Sequence, residues 1–252
     1  MDQPYRLFGE FAARYDLHTP PEDYLTHRQF ALEELARRGS GLRVLDVGCG
    51  TGAFLECARQ AGHDAQGIDA SSEMVAVAEE RLGPGIARVG RMQELDEQER
   101  YDAIVSLALP FNYCSGVAEA RAVLIAFHRA LRPGGLVLLQ VAHAAHAPPR
   151  LIEDWEPGPG GERDIQFLCR FTAVGDHGDP VLHCQYVYSC RSLAELFFEE
   201  HRLHVADANR VAELVSEAGF GDVEVYDNAR REPLTRALDP FVLGTRQAAW
   251  AT

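Results

Sequence analysis

Two carboxylates and three glycines carry the first chemistry in this chain. Asp46 stands two residues before Gly48, and glycine recurs at 50 and 52 in the run Val44-Leu45-Asp46-Val47-Gly48-Cys49-Gly50-Thr51-Gly52. Asp69 ends a second run, Asp64-Ala65-Gln66-Gly67-Ile68-Asp69. Glycines at alternate positions let a backbone turn tightly and approach a ligand, since no Cβ intervenes. Gly48, Gly50 and Ala53 satisfy the pattern G-x-G-x-x-G/A, and a carboxylate such as Asp69 at a strand end can accept both hydroxyls of a ribose. An adenosine-containing ligand is implied. Asp46 separates two kinds of such ligand: a turn that cradles pyrophosphate gains nothing from a fixed negative charge, whereas a ligand bearing an ammonium and a sulfonium does.

Residues able to take a proton fall at other segment ends. His143 and His146 follow the apolar run Leu136 to Val141, Tyr113 follows the run Tyr101 to Leu107, and His201 and His204 close a strand-like stretch near residue 200. A hydroxyl acceptor needs such a base in place, while an amine needs only to be deprotonated.

The elements that must position these residues alternate. Arg43 to Val47 reads as a short buried strand, and the helix after it carries Phe54, Leu55 and Ala58. Asp64 to Asp69 is strand two, and Ser71 or Ser72 caps a helix with Met74, Val75, Ala78 and Leu82 on one face. Strand three is expected over Gly85 to Gly90, strand four over Tyr101 to Leu107, and strand five over Leu136 to Val141 after the turn Leu131-Arg132-Pro133-Gly134-Gly135. Val117, Ala120, Leu124, Phe127 and Leu131 mark a helix between them. Upstream, Phe8 to Tyr15 and Pro21 to Arg38 predict two helices. Downstream, from about Trp155 to Val205, the period drops to two, which predicts an antiparallel insertion of two or three strands. Asp207 caps a last helix, Gly219 ends it, and Asp222 to Tyr226 and Pro240 to Arg246 supply two final strands.

The nine-residue string V-L-D-V-G-C-G-T-G resembles the first motif of class I S-adenosylmethionine (SAM)-dependent methyltransferases, and the L-R-P-G-G turn is another hallmark of that family. The resemblance covers Gly41 to Val141 most fully and Asp207 to Arg246 in part. It implies an α/β fold: a Rossmann-like, doubly wound, mostly parallel sheet with an N-terminal helical lid and an antiparallel β insertion. The expected organisation is a lid over residues 1–40, a SAM-binding core over 41–150 and 206–252, and the insertion over 151–205 covering the substrate. The expected cofactor contacts are Asp46, Gly48, Cys49, Gly50, Gly52, Asp69, Ala70 and Leu107. Met92 and Gln93 join them from a loop where the family often has Gly-Asp-Met-x-Asp and this chain has Gly90-Arg91-Met92-Gln93-Glu94. Tyr15 stands where small-molecule methyltransferases keep a lid tyrosine, and Tyr113 where several N-methyltransferases keep an active-site Tyr or His. With His143 and His201 they are the catalytic candidates; Tyr24, Asn112, Tyr186, Tyr188 and Arg202 are the substrate candidates. SAM is the implied cofactor, with S-adenosylhomocysteine as product and no metal, since Leu109 and Gln140 stand where relatives often have carboxylates. The implied reaction is methylation of a small molecule, an amine in preference to a hydroxyl, in a bacterial biosynthetic pathway. Ring closure on the aminobutyrate chain and NAD-dependent oxidoreduction are the alternatives.

Composition narrows the classes. The 252 residues carry a formal net charge of −14 with no basic block, which argues against a nucleic-acid backbone as partner. All 24 Lys-plus-Arg residues are arginine, so lysine Schiff-base chemistry is excluded. No apolar run reaches the length of a membrane span. The N-terminus lacks a signal-peptide pattern, so a cytoplasmic protein is expected. The six cysteines show no C-x-x-C pair and read as buried thiols. A small-molecule acceptor is the expected partner, and homodimerisation is open.

Overall fold

The structure, a computed structural model, describes residues 5–144, 150–154, 165–175, 179–190 and 195–247. Its centre is a sheet of seven strands: β1 (Arg43–Val47), β2 (Asp64–Asp69), β3 (Ala87–Val89), β4 (Tyr101–Ser106), β5 (Leu131–Gln140), β10 (Phe220–Tyr226) and β11 (Phe241–Arg246). They lie in the order β10-β11-β5-β4-β1-β2-β3. The pairs from β3 across to β5 are parallel, and β11 runs antiparallel between β5 and β10. From β1 the chain winds outward to β3 and then returns to β4 on the other side of β1. The carboxyl ends of β1 and β4 therefore flank the switch point, where open α/β sheets bind ligands.

Alternation assigns side chains to the two faces. Leu45, Ile104, Val137 and Leu139 meet α5 (Val117–Ala130) and α6 (Ala208–Glu217) through Leu124, Phe127, Val211 and Leu214. Val44, Val105 and Leu138 meet α2 (Leu25–Arg38), α3 (Ala53–Gln60) and α4 (Ser72–Leu82) through Phe30, Leu35, Leu55 and Val75. Phe127 is fully buried; truncating such a side chain to Ala costs ~3–5 kcal/mol. Ser71, rather than Ser72, caps α4, its hydroxyl accepting the Met74 N–H at 3.1 Å. Asp207 caps α6 through the Asn209 N–H at 2.9 Å.

Three expectations change. The Leu131–Gly135 turn lies inside β5 as a bulge: Tyr101 pairs with Leu131 and Ala103 already with Leu136, so the extra residues loop out around Gly134 at φ +82°. The helix expected over Phe8 to Tyr15 is replaced by turns closing on Tyr5 and Arg6, a short 3-10 segment at Ala12–Arg14 and a single α turn, α1 (Tyr15–His18). Gly9 weakens a helix there, and the turns let Leu7 and Phe11 face one partner, Tyr188 and Phe197 of the insertion. The insertion has the three strands expected between 155 and 205, β7 (Ile165–Val174), β8 (Val181–Cys190) and β9 (Glu195–Leu203), but an unexpected β6 (Arg150–Asp154) before that stretch joins them, antiparallel in the order β6-β7-β8-β9. Its inner face joins Leu182, Cys184 and Leu203 to Ala142, Ala144 and Ala206 of the core.

Candidate active site

The glycine turn at the end of β1 is built by close approach. A Cβ on Gly48, at φ +73°, would lie 2.4 Å from Pro110 Cβ and Cγ, so the loop after β4 rests directly on the turn. Gly52, at φ +82°, starts α3 against Ala78 and Leu82 of α4. Cys49 turns its thiol inward: a Cβ on Gly67 would meet its Sγ at 2.6 Å. Cys49 therefore offers the cleft its backbone alone.

Asp69 fastens this turn to β2. Its Oδ2 accepts the Gly50 N–H and its Oδ1 the Ser71 N–H, each at 2.9 Å. A carboxylate has about four lone-pair positions, so with the N–H groups of Gly50, Ser71 and Ala70 bound it retains capacity for one ribose hydroxyl. Burial raises the Asp69 carboxyl, opposed by the N–H groups of Ser71, Gly50 and Ala70. Asp46, 2% exposed on β1, is pushed up to about 8 by burial and then by the charge of Asp69. A neighbouring cation would relieve both effects. Ala70 is exposed beside Asp69. Met92 packs partly into the core, Gln93 donates to Glu119, and Leu107 lies partly buried at the mouth of β4.

Over this edge stands an aromatic cluster. Tyr113 Oη lies 2.6 Å from His201 Nδ1. Tyr5 stacks on the His201 ring at 3.9 Å, and Phe8 and Tyr186 meet it edge-on at 5.5 and 4.9 Å. Tyr186 stacks on Tyr188 at 5.6 Å. Tyr15 is within electrostatic reach of Asp69, and Tyr113 within reach of Tyr15, so the cluster adjoins the glycine turn. Burial pushes Tyr15 up to about 12 and Tyr113, Tyr186 and Tyr188 further above the ordinary phenol value. These phenols are neutral at physiological pH; an adjacent imidazole is needed before Tyr113 can pass on a proton.

The remaining candidates lie elsewhere. Asn112 is fully buried and spends its amide on the fold: Nδ2 donates to His204 O at 2.8 Å, and Oδ1 accepts the Ala142 N–H at 2.8 Å. His143 turns toward the start of α6, where its Nδ1 accepts the Ala208 N–H at 3.2 Å and lies 3.4 Å from Asp207. Arg202 is exposed on the outer face of β9, because His201 occupies the inward position and neighbours on a strand point oppositely. Tyr24 is exposed at the start of α2 beside His27. His204 joins the loop after β4 through its backbone N–H on Asn112 O. His146 falls outside the described residues.

Several contributors carry no local signal in the sequence. Asp16 accepts from the Thr51 hydroxyl at 2.7 Å and pairs with Arg81. Glu199 receives the backbone N–H of Arg6 at 2.6 Å. Gln140 joins four segments: its Oε1 accepts the Ala108 N–H at 2.9 Å, and its Nε2 reaches Asp239 at 2.8 Å and His27 at 3.0 Å. That first bond pins Ala108 and Leu109, both left-handed at φ +63° and +70°, a strained arrangement common at functional loops. Only long-range contacts identify these residues, at separations such as the 35 residues between Asp16 and Thr51.

Residues 18–225 match the family model of the methyltransferase domain. A malonyl-[acyl-carrier protein] O-methyltransferase from Pectobacterium atrosepticum is 31% identical over 163 residues, covering 65% of this chain and 62% of the relative. A dTDP-3-amino-3,6-dideoxy-α-D-glucopyranose N,N-dimethyltransferase from Streptomyces fradiae is 30% identical over 135 residues, covering 52% and 53%. The chain thus spans between about half and three-fifths of these relatives. The sugar N-methyltransferase KedS8 from a Streptoalloteichus species shares the fold, with a TM-score of 0.73 at 20% identity over 93% of both chains. SAM-bound CalS10, an amino pentose methyltransferase from Micromonospora echinaspora, does so at 0.70 and 22% identity over 92% of this chain and 96% of its own. With the domain model matched over most of its length, this chain belongs to the methyltransferase domain family.

Proposed function

We propose that this protein transfers a methyl group from SAM to the nitrogen of a small amine, of the nucleotide-linked amino-sugar class, in a bacterial biosynthetic pathway. One observation carries the reading: the Asp46–Asp69 turn and the Tyr15–Tyr113–His201 cluster meet at one sheet edge beneath the insertion. The residues present fit the donor. Asp69 keeps an acceptor position for a ribose hydroxyl, the glycines admit the backbone closely, and the raised Asp46 carboxyl favours a cation beside it.

SAM when bound supplies an electrophilic methyl group on a sulfonium. The chain's part is to hold the acceptor in line with it at near contact, which can account for most of the rate gain. Tyr5, Phe8, Tyr15, Tyr186 and Tyr188 give apolar faces suited to a sugar ring and keep water from the transfer. The relatives that act on amino sugars favour nitrogen. The Tyr113–His201 bond favours a second reading, methylation of a hydroxyl, because such an acceptor needs that pair as base.

The test is a product spectrum. Purified protein is incubated with SAM and a panel of dTDP-amino sugars, simple amines and phenols. Added methyl mass on an amine together with S-adenosylhomocysteine supports the proposal. Methylated phenol supports oxygen transfer, methylthioadenosine indicates chemistry on the aminobutyrate chain, and NADH-dependent turnover without SAM indicates an oxidoreductase.

A further inference from the structure

Glu199 is an acid on the inner face of β9, opposite Tyr186 of β8. Its carboxylate is 10% exposed and lies 3.4 Å from His201 Nε2 through Oε2. The same group receives two backbone donors from the N-terminal segment, Arg6 N–H at 2.6 Å and Leu7 N–H at 3.2 Å. Burial raises this carboxyl, but the bond and charge of His201 and the N–H groups of Leu7 and Arg6 hold it below the ordinary value. His201 is 1% exposed. Its Nδ1 faces Tyr113 Oη at 2.6 Å, and its buried Nε2 has no hydrogen-bond partner of good geometry among the described residues, meeting Glu199 as an ion-pair contact at 3.4 Å. The groups around the ring are Tyr5, Phe8, Tyr113, Tyr186 and Glu199. The nearby Arg6 guanidinium is turned to Glu10 and the Phe197 ring.

A buried carboxylate is costly unless it is paired, and pairing with the N-terminal backbone alone would satisfy that need. The additional alignment with His201 and Tyr113 places the acid at the end of a three-residue chain that begins in the proposed acceptor pocket. We propose that Glu199 is the positioning residue of a proton relay that is complete only when the N-terminal segment is seated. Glu199 holds the proton of His201 on Nε2, which leaves Nδ1 free to accept from Tyr113. As the acceptor nitrogen forms its bond to the methyl carbon, the methyl–sulfur bond breaks and its electron pair stays on sulfur. The nitrogen's proton passes to Tyr113 Oη, the Tyr113 proton passes to His201 Nδ1, and the positive charge comes to rest on an imidazolium facing Glu199. Tyr113 ends neutral, as it began. The inference rests on the pocket being the acceptor site.

The seated segment serves both halves of the site. Phe11 packs on Phe197 at 4.7 Å and Tyr5 stacks on His201, while Ser71 donates to Phe8 O at 2.5 Å and Asp16 holds Thr51. Displacing it uncovers the glycine turn and strips two donors from Glu199 at once.

The test uses the full chain with 15N-labelled histidine and saturating S-adenosylhomocysteine, read by NMR. In the wild type, the neutral His201 ring should carry its proton on Nε2. In Glu199→Gln the ring should shift toward the other tautomer. Phe11→Ala, which loosens the segment without touching the relay, should reproduce part of that change. An unchanged His201 tautomer in both folded variants, with only a lower melting temperature, overturns the relay and leaves Glu199 a structural tie. Failure of S-adenosylhomocysteine to raise the melting temperature of the wild type overturns the reading of the pocket itself.

Discussion

The hydroxyl of Thr51 donates to Asp16 at 2.7 Å, so the N-terminal segment is fastened to the glycine turn itself. Arg81 of α4 holds the other oxygen of the same carboxylate. Asp16→Ala should leave the fold intact and speed release of S-adenosylhomocysteine by about tenfold, the scale of a hydrogen bond to a charged group. Stopped-flow displacement measures it; an unchanged release rate would show that the segment does not gate the site.

Asp69 supports the turn and is the proposed ribose ligand. Asp69→Ala should weaken SAM binding by ~1.5–3 kcal/mol. Calorimetry on the folded variant checks this, and equal affinity in variant and wild type removes Asp69 from the site. In the wild type, SAM should raise the melting temperature by mass action and NAD should not.

Asp46 makes both stability and binding depend on pH. Its carboxyl titrates at about 8 in the folded chain, against ~4 for an unfolded aspartate. Between those values the native state binds a proton that the unfolded state lacks, so this group's contribution to stability falls as pH rises from about 4 to about 8. Asp46→Asn should flatten that part of the stability profile. A bound cation favours the carboxylate, so SAM binding at neutral pH should release up to one proton in the wild type and fewer in Asp46→Asn. Calorimetry in buffers of different ionisation enthalpy counts these protons, and equal release in the two proteins rules Asp46 out.

Gly48 and Gly50 have similar backbone angles, φ +73° and +53°, but unlike surroundings. A Cβ at 48 meets Pro110 at 2.4 Å, while one at 50 meets nothing within 4 Å. Gly50→Ala should cost ~1–2 kcal/mol for the left-handed backbone alone, and Gly48→Ala ~1–3 kcal/mol more for the clash. Denaturant melts of the two variants compare them, and equal losses would mean that the Pro110 loop yields freely.

The legible parts of this chain were those written in short-range pattern. The run Val44 to Gly52 announces strand, turn and helix within nine residues, and the parity of Tyr186 and Tyr188 correctly puts both on one face of β8. Parity alone does not say which face points inward; His201 and Arg202 were both candidates, and one strand can turn only one of two neighbours to the pocket. β6 escaped because Arg-Leu-Ile-Glu-Asp has no two-residue period and lies before the stretch where that period begins, although it pairs with the next strand, β7. Asn112 was placed at the right loop, yet its role as a three-way joint depends on Ala142 and His204, which no local spacing connects to it. Asp16 and Glu199 look like ordinary surface acids until the fold brings Thr51 and His201 against them.

The inward-turned thiol of Cys49 gives the turn a chemical clock. Burial drives that thiol far above its ordinary value, and its sulfur fills the space that the missing Gly67 side chain leaves. An alkylating reagent can reach it only when the glycine turn lifts off β2. Its capture rate therefore counts how often the closed turn breathes, and a ligand seated on Asp69 would slow the count in proportion to the time it holds the turn shut.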